Sequence, residues 1–141
     1  MRVVLDTNVL NSVLLWRKQL APIFDLIETN KITICFSPDT IDEIKRVFAY
    51  PKIATQASKF GLDTASMLNQ LLETSVIVQP HKAIVLPPLK KDPSDRMFIA
   101  CAIVAHASCI VTGDGVLLAL QSYEKIVMVT PKQLIDLVRK S

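Results

Sequence analysis

Five short apolar runs recur along the chain with helical stretches between them, and this alternation limits the fold more than any other feature. The runs are Arg2-Val3-Val4-Leu5, Ile32-Thr33-Ile34-Cys35-Phe36, Val76-Ile77-Val78, Ser108-Cys109-Ile110-Val111 and Ile126-Val127-Met128-Val129. β-Branched residues dominate them, as expected of strands. Parallel strands need long crossovers, and helices supply these, so the pattern predicts a parallel sheet covered by helices on both faces. The expectation is an α/β fold.

Helix boundaries are marked by capping chemistry. Ser37-Pro38 and Thr130-Pro131 each place a hydroxyl before a proline suited to the first helical position. Thr130 to Gln133 also fits a capping box, and Asp92-Pro93-Ser94-Asp95 has the same form with Asp92 as cap. Pro51 to Thr74 reads as a helical hairpin broken near Gly61, because Leu68, Leu71 and Leu72 keep helical spacing. Pro80 to Lys91 carries three prolines without a period and is expected to be a loop. Met97 to Ala105 contains no polar residue, so that helix has no wet face and should lie buried.

The 141 residues suit a single domain, 1–141, with a sizeable core. Half of them are apolar, which argues against disorder. No apolar run reaches the roughly 18 residues of a membrane span, and the N-terminus lacks a signal-peptide pattern. A cytoplasmic location without membrane association is expected. The net charge of +3 permits a nucleic-acid partner without demanding one. Cys35, Cys101 and Cys109 follow no metal or redox spacing and read as small buried hydrophobes in a reducing compartment.

Of Asp6, Glu43, Asp95 and Asp114, three stand where an apolar strand should end or a buried helix should start. Asp6 directly follows the first strand, where open α/β sheets bind ligands; Asp and Asn there also cap helices. In the helix after Ser37, Asp42 points away from the stripe of Ile41, Ile44, Val47 and Phe48, and Glu43 lies at its border. Glu43 either reaches inward or pairs with Lys45 or Arg46. Asp95 would complete a capping box with Asp92, and one of its oxygens can accept an amide while the other binds a cation. Asp114 lies in Thr112-Gly113-Asp114-Gly115, where two of the chain's three glycines allow a tight turn and close backbone approach. No single position decides the matter. Their joint placement suggests carboxylates converging at one edge of the sheet, a set suited to Mg²⁺ or Mn²⁺ and to phosphate chemistry.

Other catalytic sets compete poorly. His81 falls in the proline-rich loop and His106 on the buried helix. There is no Gly-x-Ser-x-Gly elbow, Walker loop or dinucleotide fingerprint.

Val4-Leu5-Asp6-Thr7-Asn8-Val9, Ser37 to Glu43, Asp92-Pro93-Ser94-Asp95 with Phe98 to Ala102, and Val111-Thr112-Gly113-Asp114, in this order and spacing, resemble a PIN domain. The set is most similar to bacterial VapC-like toxin components of toxin-antitoxin systems. The resemblance implies a three-layer α/β/α sandwich with a central parallel sheet. It implies a Mg²⁺- or Mn²⁺-dependent endoribonuclease that hydrolyses phosphodiester bonds. Asp6, Glu43, Asp95 and Asp114 would form the catalytic set, with Asp6, Asp95 and Asp114 holding the metal. Asn8, Thr112 and Asp92 would support it. Many relatives carry a further aspartate two residues after the one matching Asp114; here that residue is Val116, so one firmly bound ion is expected.

Alternatives of other classes remain open at this stage. One is a catalytically silent PIN-fold module that binds RNA or a partner protein. Another is a phosphatase with an aspartyl nucleophile at Asp6, although Asn8 stands where that chemistry normally has a second aspartate. Basic residues able to meet RNA phosphates are Arg17, Lys18, Lys45, Arg46, Lys90, Lys91 and Arg96. The resemblance also implies an antitoxin partner and a homodimer, for which Leu14, Leu15 and Trp16 would offer an apolar patch.

Overall fold

A computed structural model describes residues 1–15, 17–81, 86–87 and 94–140, with only the backbone of 17–21 and 94. The strands are β1 (Arg2–Leu5), β2 (Thr33–Phe36), β3 (Val76–Ile77), β4 (Cys109–Val111), β5 (Ser122–Tyr123) and β6 (Ile126–Val129). The helices are α1 (Thr7–Leu15), α2 (Arg17–Glu28), α3 (Pro38–Phe48), α4 (Pro51–Lys59), α5 (Thr64–Glu73), α6 (Ser94–Ala105), α7 (Gly115–Leu120) and α8 (Pro131–Lys140). Among the described residues the sheet has the order β3-β2-β1-β4-β6-β5. All pairings are parallel except β5 with β6. The α/β expectation therefore holds, with one correction: a short antiparallel hairpin strand closes one edge.

Alternation along the strands builds two cores. Val3, Leu5, Ile34, Phe36, Cys109, Val111 and Val129 face one side, against Leu10 and Val13 of α1, Ile44 and Phe48 of α3, Leu68 and Leu71 of α5 and Leu134 of α8. Val4, Cys35, Ile110 and Met128 face the other side, against Phe98, Ile99, Cys101 and Ala102 of α6 and Leu117 of α7. This is the three-layer α/β/α sandwich.

The expected caps form. Ser37 accepts from the Thr40 amide while Thr40 Oγ1 accepts from the Ser37 amide at 2.9 Å. Thr130 and Gln133 exchange the same pair of bonds, at 2.9 and 3.2 Å. The α4–α5 hairpin breaks at Gly61, whose φ of +65° favours glycine. The expected cap Asp92 lies outside the described residues, as does most of the proline-rich loop. Helix α6 is buried along most of its length, as its composition predicts. His106 is not on that helix: it follows the last residue, Ala105, and is exposed. Leu14 and Leu15 are each only 5% exposed. They belong to the interior rather than to a dimer patch, and Trp16 is outside the described residues. No helix among the described residues is long and apolar enough to cross a membrane.

All three cysteines are free and buried, and burial pushes the Cys101 and Cys109 thiols up to about 12. The thiolate is the reactive form. A thiol-reactive dye should label none of the three in the folded protein at mildly alkaline pH and all three in denaturant. Labelling of Cys101 or Cys109 at the rate of a free thiol would contradict this packing.

Candidate active site

The centre of the sheet brings the first strand-end acid beside the last. β1 and β4 are neighbours, with Leu5 opposite Val111. The Asp6 amide continues the ladder by donating to the Val111 carbonyl at 3.1 Å. Asp6 and Thr112 thus leave the sheet side by side, and both are buried, Thr112 completely.

Asp6 is a cap and more than a cap. Its Oδ1 accepts from the Val9 amide at 2.8 Å, the N-cap bond expected of Asp before α1. Its Oδ2 accepts a short hydrogen bond from the Thr112 hydroxyl. That hydroxyl oxygen in turn accepts from the Asp114 amide at 2.9 Å. Asp114 caps α7, with Oδ1 accepting from the Val116 amide at 2.7 Å. One threonine hydroxyl therefore couples the two aspartates.

Burial raises the Asp6 carboxyl above its ordinary value, and the charge of Asp114 adds to the rise. The hydrogen bonds from Thr112 and Val9 and the nearby Gly113 amide oppose it. A carboxyl whose folded value exceeds its unfolded one is more protonated in the folded state. It therefore costs no stability below 3.8, and stability falls as pH rises from there through the raised folded value. In the presence of chelator, Asp6→Asn should lose less melting temperature than the natural chain between that pH and neutrality. Thermal melts across this range check it; parallel curves would mean Asp6 carries no such penalty.

The other sequence-predicted residues divide. Asp95 lies in the first turn of α6 and is 6% exposed. Arg2 Nη1 donates to the Ala105 carbonyl at 2.9 Å, which ties the end of α6 to the start of β1. Helix α6 packs on β1, so its Asp95 end lies toward the carboxyl end of the strand, the Asp6 end. Glu43 takes the pairing alternative: both its oxygens are within 2.8 Å of Arg46 Nη2. Asp42 is exposed, as its place on the helix predicts. Asn8 is exposed in the first turn of α1. Asp92, Lys90 and Lys91 lie outside the described residues, and the side chains of Arg17 and Lys18 are not described. Lys45 and Arg96 are exposed, while Arg46 is engaged by Glu43 and lies over the Tyr50 ring, 5.6 Å from its centroid.

The glycines beside Asp114 play a different part from the expected one. Only Gly61 among the chain's glycines has a positive φ, and a Cβ at Gly113 or Gly115 would meet nothing within 4 Å. The turn does not need them. They leave bare backbone and open space around the aspartate pair.

Sequence reasoning missed two further polar groups. Thr7 Oγ1 and Asn11 Oδ1, one turn apart on α1, are buried without a hydrogen-bond partner among the described residues. Their spacing of four residues, which puts both on one face of α1, was the available signal.

Among the described residues no three His, Cys, Asp or Glu side chains are grouped to hold a metal ion. A hydrated Mg²⁺-type ion asks for less, since one or two carboxylates suffice alongside water and substrate phosphate. Asp6 and Asp114 fit that requirement: a desolvated carboxylate beside a second negative charge gains from a cation.

The sequence matches the PIN domain family over residues 2–115. The chain belongs to that family, which is one of nucleases. Its fold is similar to that of a chain in the crystal structure of VapBC2 from Rickettsia felis bound to a DNA fragment from their promoter. The TM-score is 0.55 at 16% identity, covering 92% of this chain and 98% of that one, so the likeness concerns the fold. No curated protein matches the sequence significantly.

Proposed function

We propose that this chain is a Mg²⁺- or Mn²⁺-dependent endoribonuclease and the toxin of a toxin-antitoxin pair. The observation that carries the reading is the coupling of Asp6 to Asp114 through Thr112 in a PIN domain. Asp6 and Asp114 would hold the ion, with Asp95 reaching the same end of the sheet from α6. When bound, the ion lowers the pKa of water and offsets charge on the leaving oxygen. The chain's own residues prepare that chemistry. Thr112 fixes the Asp6 oxygen, and the Val116 amide orients Asp114. Asn8, beside Asp6, would contact substrate. Lys45 and Arg96 are exposed cations suited to RNA phosphates. An antitoxin partner is supported by the fold's likeness to a chain of the VapBC2 structure. A cytoplasmic location suits both an RNA substrate and three free thiols.

A second reading has its own support. Glu43 is held by Arg46, and no three-ligand group stands among the described residues. A silent RNA- or protein-binding module would look the same. A metal titration separates the two. Purified protein should cleave a mixed single-stranded RNA pool with Mg²⁺ or Mn²⁺ and stop with EDTA. Cleavage that survives EDTA would reject the metal-dependent mechanism, and RNA binding with no cleavage at any metal concentration would reject the nuclease.

A further inference from the structure

At the other end of the sheet lies a cleft of about 710 Å³. It opens between the last turn of α6 and the β5–β6 turn, at the amino ends of β4 and β6. Asp6 lies at the carboxyl end of β1, so this is a separate place. The size is typical of small-molecule sites. Ile103 and Ile126 form its apolar floor, and His81, His106, Glu124 and Lys125 stand at its exposed mouth.

Three of those four residues hold backbone conformations that disfavour side chains. His106, Glu124 and Lys125 have φ of 53°, 51° and 70°. His106 ends α6, its amide donating to the Ile103 carbonyl at 3.2 Å while the Ala107 amide donates to Ala102 at 2.9 Å. Glycine is the usual residue at that position. Glu124 and Lys125 are the two central residues of the hairpin turn, where Asn-Gly is favoured. The chain has glycine at none of these positions, and each carries a polar side chain that points to use. Among the described residues none of the four has a side-chain hydrogen bond or ion pair.

We propose that this cleft binds a nucleoside monophosphate. The chemistry matches group by group. Lys125 and the two imidazoles suit a phosphate, the half-buried Ile103 and Val104 offer an apolar surface for the flat face of a base, and Glu124 accepts from ribose hydroxyls. A polyacidic chain would meet Glu124 unfavourably. Among the described residues no three His, Cys, Asp or Glu side chains are grouped at the cleft. The proposal stands apart from the nuclease reading, since it uses none of its residues.

Calorimetric titration of the intact chain with each of the four ribonucleoside monophosphates tests it, with adenosine and inorganic phosphate as separate arms. At least one nucleotide should bind, with nucleoside and phosphate weaker by roughly tenfold or more. Lys125→Ala and His106→Asn should each weaken binding by roughly tenfold. Asparagine tolerates the left-handed backbone, so His106→Asn should melt no lower than the natural chain. Asp6→Asn should bind unchanged. The proposal is overturned if no nucleotide binds, if inorganic phosphate binds as tightly, or if Asp6→Asn abolishes binding while Lys125→Ala keeps it.

Discussion

Asp6→Ala should reduce metal-dependent RNA cleavage by at least about a hundredfold, the scale of losing one group that stabilises charge in a transition state. Both oxygens of Asp6 are fixed within the site, by the Val9 amide and the Thr112 hydroxyl, whereas those of Glu43 are taken up by Arg46. On the proposed reading the loss of Asp6 removes a cation ligand, and it frees the Thr112 hydroxyl. Asp42→Ala, on the exposed side of α3, should cleave as the natural chain does. A time course on a mixed RNA pool with both variants decides the matter. Equal cleavage by Asp6→Ala would place the chemistry elsewhere in the fold or outside the protein.

Thr112→Val is the second large effect. Valine keeps the volume and removes one hydroxyl that serves two partners. Asp6 loses a donor, and the Asp114 amide loses its acceptor, at a position with no solvent exposure. Unsatisfied buried groups cost about 1–3 kcal/mol each, which lowers the melting temperature by several degrees. Activity should fall as well, because both aspartates lose their alignment. Thr112→Ser should restore most of both quantities. The double variant with Asp6→Asn should lose less than the sum of the singles, since the two share one bond. A melting temperature unchanged in Thr112→Val would show that the bond carries little.

The strands and both cores were legible because alternation assigns each residue a face before any fold is known. Val3 and Leu5 point one way and Val4 the other. The caps at Ser37 and Thr130 were legible because they are local. The β5 strand was not, since Ser122-Tyr123 is short and its turn, Glu124-Lys125, lacks the usual glycine or asparagine. At the site, Asp6 and Asp114 could be placed at strand ends, but their coupling through Thr112 could not be read, because it depends on β1 and β4 being neighbours. Glu43 shows the limit of a border position: the same helical angle serves an inward acid and a partner of Arg46, and only side-chain placement separates them.

That β1–β4 adjacency also bears on when activity can arise. Asp6 is synthesised early and Thr112 late, 106 residues apart. Their contact closes a long loop, which is a slow, entropically costly event compared with forming local helices. An emerging chain carries the first aspartate for most of its synthesis with nothing beside it. If this fold hydrolyses RNA, the ribosome and its messenger are shielded by topology alone, because the catalytic pair does not exist until most of the chain has been made and its central strands have met.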